Sequence, residues 1–144
     1  MDAARKVLVG EVLGAIVAAG RPLMTERRHP FGDVMITATQ MHALFVVAHH
    51  AGPVTVGDLS TELGVTPGAV TQLVDTLRTR GLVTREDNPD DARSKHIRLT
   101  DAAARSVSEF ESAAIARSQW RFADLADDEL ENLAALLRRV RVHA

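Results

Sequence analysis

The chain contains no cysteine, which removes disulfides, thiolate metal sites, cysteine nucleophiles and thiol-based redox sensing together. It also has no excess of either charge. Its 17 bases and 19 acids leave a net charge of −2, which excludes a disordered polycation and a protein that holds polyanions through bulk charge. Whatever it binds, local patches must do the work. No apolar run is long enough to span a bilayer as a helix. The stretch "RKVLVGEVLGAIVAAG" from Arg5 has the two bases and small-residue end of a secretory leader, but Asp2 stands where positive charge belongs and Glu11 interrupts the run. Read as a helix, it places Leu8, Val12, Ala15, Ile16 and Ala19 on one face at the spacing of a buried stripe. The expectation is a packing helix of a cytoplasmic protein with no membrane partner.

Catalytic signals are missing as well. There is no nucleophile constellation and no phosphate-binding glycine loop, and the carboxylates cluster at helix starts and in one charged loop. Neither an enzyme nor a cofactor is expected.

What is present is a folded composition, 46% hydrophobic over 144 residues, suited to one domain or to a module with an oligomerisation arm. The breakers divide it. Thr37 to His50 is helical in pattern, and "AGP" at Ala51 to Pro53 ends it. Thr55 with Asp58 three residues on forms a capping-box variant that opens a short helix, and Gly64 closes it. Thr66 as N-cap and Pro67 at the first helical position open a longer helix that ends at Gly81.

A short and a longer helix separated by "GVT" have the spacing of a helix-turn-helix. Leu59, Leu63, Val65, Val70, Leu73, Val74 and Leu77 can share a core, leaving Pro67, Gly68, Thr71, Gln72 and Asp75 on the opposite face of the second helix. That face is slim and polar, as close approach to base edges in a major groove requires. An ordinary helical hairpin with a solvated face has the same pattern. The segment after Gly81 separates the two. It consists of "LVTRE", a nine-residue charged loop from Asp87 to Lys95, and "HIRLT", a two-stranded wing whose tip can reach phosphates or a neighbouring minor groove.

The run "TVGDLSTELGVTPGAVTQLVDTLRTRGLVTREDNPDDARSKHIRLT" closely resembles the winged helix-turn-helix core of the MarR family of bacterial transcription regulators. The likeness rests chiefly on "VTQLVDTLRTRGLV" and on "DDARSKHIRLT", which is similar to the family's D-x-R-[SA] pattern followed by L-T. It implies a mainly α fold: a winged helix-turn-helix at 37–100 with a two- to three-stranded β wing, an N-terminal dimerisation helix at 1–36 and C-terminal dimerisation helices at 101–144. It further implies a homodimeric, ligand-responsive repressor that binds double-stranded DNA at a palindromic operator. Arg93 would be the wing-tip arginine of the minor groove, and Asp91 the carboxylate that orients it. The DNA-binding set is Thr66, Pro67, Gly68, Ala69, Thr71, Gln72, Arg78, Asp91, Arg93 and Lys95.

One departure is plain. Thr55 to Thr100 holds six bases and seven acids, and Gln72 stands where many family members carry a base. The expectation is modest, strongly salt-sensitive affinity concentrated in a few arginines. A winged-helix module that binds a protein instead of DNA is the alternative such a charge count suits.

The ends supply further apolar faces. Val107, Phe110, Ala114 and Arg117 advance along one face of a long helix after Thr100, and Leu130, Leu133, Leu137 and Val140 form a stripe behind an acidic first turn. These exceed what one small module can cover, and mutual burial in a two-fold dimer is the expected solution. Trp120 reads as an interface anchor. His42 and His49 share a face of their helix, and His50 is adjacent. With no cysteine and no carboxylate at metal spacing on that helix, no metal site is expected. In the family this helix often lines a small-ligand cavity, so His42, Phe45 and His49 are the candidate contacts for a small organic effector.

Overall fold

The computed structural model describes residues 2–25, 31 and 34–140. Helix α1 spans Ala3–Thr25, α2 Ala38–His49, α3 Val56–Leu63 and α4 Pro67–Thr79. Strands β1 (Val83–Asp87) and β2 (Lys95–Leu99) come next, then α5 (Asp101–Ser118), a 3-10 turn at Gln119–Phe122 and α6 (Asp127–Arg139).

Each helix start in the central region is fixed by a side chain. Thr37 Oγ1 accepts the Gln40 N–H at 3.2 Å while Gln40 Oε1 accepts the Thr37 N–H at 3.0 Å. The same reciprocal box joins Thr55 and Asp58, and Thr66 Oγ1 accepts the Ala69 N–H at 3.2 Å. Such caps contribute about 1 kcal/mol each. The turn between α3 and α4 passes through Gly64 at φ 64°, and the Ser60 hydroxyl donates to the Val65 carbonyl across it at 2.6 Å.

Helix α4 ends in a Schellman turn. Gly81 N–H donates to Arg78 O and Leu82 N–H to Leu77 O, with Gly81 at φ 71°. Leu82 and Leu77 are both buried, the apolar contact that accompanies this motif. The chain therefore leaves the helix at a fixed angle and enters β1 directly.

The wing is one antiparallel pair registered Val83↔Leu99 to Asp87↔Lys95. Val54 adds a single bridge to Ile97, whose N–H donates to Val54 O at 2.7 Å. Each strand runs one residue further toward the tip than the sequence suggests, so the loop is Asn88–Ser94. Aspartate and lysine are poor strand formers, but Asp87 and Lys95 stand directly opposite and pair, which offsets the weak propensity.

The core joins α2, α3, α4, the wing base and the start of α5. Leu44, Val54, Leu59, Val70, Val74, Leu77, Ile97 and Val107 are essentially sealed from solvent, and Leu63, Val65 and Leu73 pack with them. The terminal helices stand outside this core. Residues of α1 such as Val7, Leu8, Leu13 and Val17 are exposed, Leu8 at 60%. They are spread around most of the helix and are not confined to the single stripe expected. A helix apolar on all sides requires cover, and the described part of the chain supplies none to these residues. Leu133, Leu136 and Leu137 of α6 are likewise exposed. Among the described residues no helix is long and apolar enough to cross a membrane.

Candidate nucleic-acid interface

The outward face of α4 is built as the pattern suggests. Thr66, Pro67, Gly68, Ala69, Thr71 and Gln72 are all exposed. A Cβ added at Gly68 would meet nothing within 4 Å, so its smallness serves no internal packing and leaves room for an external body. The Thr71 hydroxyl donates back to Pro67 O at 3.0 Å, keeping only its acceptor capacity for a partner. The Gln72 amide makes no hydrogen bond to any described residue and offers both donor and acceptor, the set that reads an adenine edge.

Asp75 belongs elsewhere. Rather than facing solvent with Thr71 and Gln72, it is half-buried, with Oδ1 3.0 Å from Arg85 Nη1 on the wing and 3.8 Å from Arg78 Nη2. Arg78 is exposed near the end of α4, and that long contact is its one ion pair among the described residues.

Helix and wing enclose a cleft of about 560 Å³ lined by Thr55, Gly57, Thr71, Arg85, Arg93 and Lys95 among others. Hydrogen bonds make the wing tip rigid. Asn88 Nδ2 donates to Ser94 Oγ at 2.7 Å, and Asn88 Oδ1 accepts the Asp90 N–H at 2.9 Å. Asp91 Oδ1 accepts the backbone N–H of Arg93 at 2.9 Å. The contact is to the main chain: Asp91 fixes the peptide of Arg93, and no carboxylate among the described residues lies within ion-pair distance of its guanidinium. The exposed Arg93 head is available to a partner. Lys95 is held by Asp87, whose carboxyl the Lys95 ammonium keeps below the usual carboxylate range, first by hydrogen bonding and then by charge. Arg98 pairs with Glu86 at 2.6 Å, so both bases have an exposed carboxylate partner within the wing.

A second region lies on α2. His42, Phe45 and His49 line an open cleft of about 470 Å³ together with Val46, His50 and Glu62. The Phe45 ring packs on Phe110 of α5 with centroids 6.2 Å apart. His49 Nε2 lies 2.5 Å from Glu111 Oε1, also on α5. The three α2 residues named from the sequence line this one cleft; Glu111 was not among them. Among the described residues no group of three or more His, Asp or Glu side chains is placed to hold a metal ion.

The fold that carries these sites is one that known proteins share. The sequence profile of the MarR family matches residues 36–94. A regulator of Bacillus subtilis, the HTH-type transcriptional regulator YcgE, is 33% identical over 105 residues, a match covering 60% of this chain and 68% of that protein. The chain belongs to the MarR family. As a MarR protein it is a DNA-binding transcription regulator with the winged-helix fold. Solved structures agree on that fold. RV1404 from Mycobacterium tuberculosis superposes with a TM-score of 0.70 at 29% identity over 90% of this chain and 92% of that one. A MarR family protein from Bacillus stearothermophilus gives 0.72 at 24% identity over 96% and 94%.

Besides His49–Glu111, two arginine contacts lay outside the sequence reading. Arg85 Nη2 donates to Thr71 O at 3.4 Å in addition to its ion pair with Asp75. Arg80 Nη1 donates to Met35 O at 2.5 Å, tying the end of α4 to the segment before α2. A signal for Arg85 existed: it has the inward phase of β1, two residues after the buried Val83.

Proposed function

We propose that the protein works as a homodimeric repressor in the cytoplasm, binding a palindromic operator and released from it by a small organic effector. Two copies pair through α1, α5 and α6. Each inserts α4 into a major groove, with Gln72 and Thr71 toward base edges and Thr66, Gly68 and Ala69 against the backbone. Arg78 and Lys95 flank the groove, and Arg93 enters the adjoining minor groove, where its planar cation suits a narrow A·T tract.

The observation that carries this reading is the conjunction of two unpartnered surfaces on one chain: the slim polar face of α4 beside a free Arg93, and the uncovered apolar residues of α1 and α6. One short helix reads few bases, and two half-sites about one turn apart multiply specificity. The effector role of His42, Phe45 and His49 is supported by their shared cleft, which adjoins the α2–α5 contact. A ligand there biases the link between the DNA-binding and dimerising parts.

A mobility-shift titration with the gene's own upstream region tests the reading. Retardation of a fragment containing an inverted repeat, by a species sedimenting as a dimer, is expected. A monomer at micromolar concentration, or retardation that random DNA competes away at equal mass, would contradict it.

A further inference from the structure

We propose that Arg85 is the positioning residue that sets the wing against the recognition helix, so that the two grooves of one half-site are read as a unit. The inference rests on the reading of α4 and Arg93 as DNA contacts, and it concerns a residue outside that contact set.

The wing needs such a device. A two-stranded ribbon is marginally stable alone in water, and this one is anchored only at its base. There Val83 and Ile97 are buried, Thr100 Oγ1 donates to Gly81 O at 2.9 Å, and Thr100 N–H donates to Leu82 O at 3.1 Å. Beyond the Arg85↔Ile97 pair the strands carry only Glu86, Asp87, Lys95 and His96, with no apolar residue to seat them. Arg85 stands where the ribbon leaves the core. Its guanidinium crosses to α4 and meets two groups one helical turn apart: Asp75 Oδ1 at 3.0 Å and Thr71 O at 3.4 Å. The turn it grips is the one that presents Thr71 and Gln72 outward.

Three features suit the contact to positioning. The Arg85 side chain is only 25% exposed, so its guanidinium is held against the protein and not spread into solvent. Asp75 Oδ1 is itself out of contact with solvent and makes no aligned hydrogen bond, so the Arg85 charge is its principal compensation; Arg78 lies further off and on the same helix, where it cannot restrain the wing. The planar fork serves two acceptors in fixed directions, which a lysine ammonium does not reproduce. Fixing the wing before docking lowers the ordering cost of bringing Arg93 to its groove.

The test is a double-mutant cycle on one operator fragment with wild type, Arg85→Met, Arg93→Ala and the double variant. Arg85→Met keeps the stem and removes the fork. If Arg85 positions the wing, Arg93→Ala weakens binding roughly tenfold in the wild-type background and less than about twofold in the Arg85→Met background. Arg85→Lys restores only part of the coupling. An equal factor in both backgrounds overturns the proposal, because a general loss of stability would leave the Arg93 increment unchanged. Asp75→Asn breaks the same pair from the helix side and serves if Arg85→Met folds poorly. Amide exchange in the absence of DNA separates this proposal from the reading it rests on. With positioning, exchange at Glu86 and His96, the cross-strand pair just beyond Arg85, quickens about tenfold in Arg85→Met while α4 is unaffected; unchanged exchange overturns the proposal whatever the DNA result. Wild-type protein that selects no operator would count against the DNA reading alone, and the exchange result then decides the role of Arg85.

Discussion

Asp91 Oδ1 accepts the backbone N–H of Arg93 at 2.9 Å, and no carboxylate among the described residues pairs with the Arg93 guanidinium. The aspartate works as a turn former, a role that requires an acceptor oxygen and no charge. Asp91→Asn therefore keeps the tip conformation and removes a negative charge near phosphates, so operator affinity holds or rises. Asp91→Ala loses the turn, and affinity falls by about threefold to tenfold. Fluorescence anisotropy titrations of the two variants check this; equal losses in both would show that the charge itself matters.

The uncovered helices set the second expectation. Leu137 on α6 is 48% exposed in the single chain, and Leu13 on α1 is exposed too. Burying a leucine contributes about 1.5–3 kcal/mol, so replacing either with glutamate on both protomers shifts the dimer strongly toward monomer. The α2–α4 core, which neither residue touches, stays folded. Sedimentation equilibrium with circular dichroism measures both, and loss of helical signal in parallel with dissociation would place these residues in the fold itself.

The capping box of α3 gives a pH-dependent contribution. The backbone N–H of Thr55 holds the Asp58 carboxyl below its ordinary value of 3.8, with the Thr55 hydroxyl and nearby His50 assisting against desolvation. A depressed folded-state value means that the stabilisation is complete above the unfolded value and lost as pH falls through the folded one. Asp58→Ala should cost about 1 kcal/mol at pH 7. In urea unfolding the gap between wild type and variant narrows only as the pH drops below about 4, and a gap unchanged at pH 3 would contradict the assignment.

Gly81 tests the corner between helix and wing. At φ 71° any Cβ is strained, although nothing lies within 4 Å to obstruct it. Gly81→Ala should destabilise by about 1 kcal/mol and, by moving β1, lower operator affinity beyond the stability loss. Thermal unfolding and DNA titration on the same preparation separate the two effects.

What could be read in the sequence was local. Thr55, Thr66, Pro67, Gly64 and Gly81 mark helix ends through chemistry within four residues, and the alternation of β1 and β2 marks the wing. The MarR resemblance then placed the α4 face and the wing tip. The contacts missed were those that depend on how elements meet. Asp75 looked like a fifth member of the outward face, because helical phase cannot report that a strand ten residues later turns back to deliver Arg85. Asp91 sits at the right spacing to approach Arg93, and only the turn geometry decides which of that residue's groups it reaches. The His49–Glu111 pair links residues 62 apart, beyond any local signal. On α1 the apolar residues keep to no single stripe, because Val7, Val9, Leu13 and Val17 lie off the face that Leu8, Val12 and Ile16 share.

The salt dependence of operator binding, wild type against Arg93→Ala, tests the central claim most directly. An arginine that docks in a minor groove releases counterions. Its removal should lower the slope of log affinity against log salt by about one per half-site and relax the preference for flanking A·T pairs. A slope and a preference both unchanged would mean that the wing does not touch the DNA.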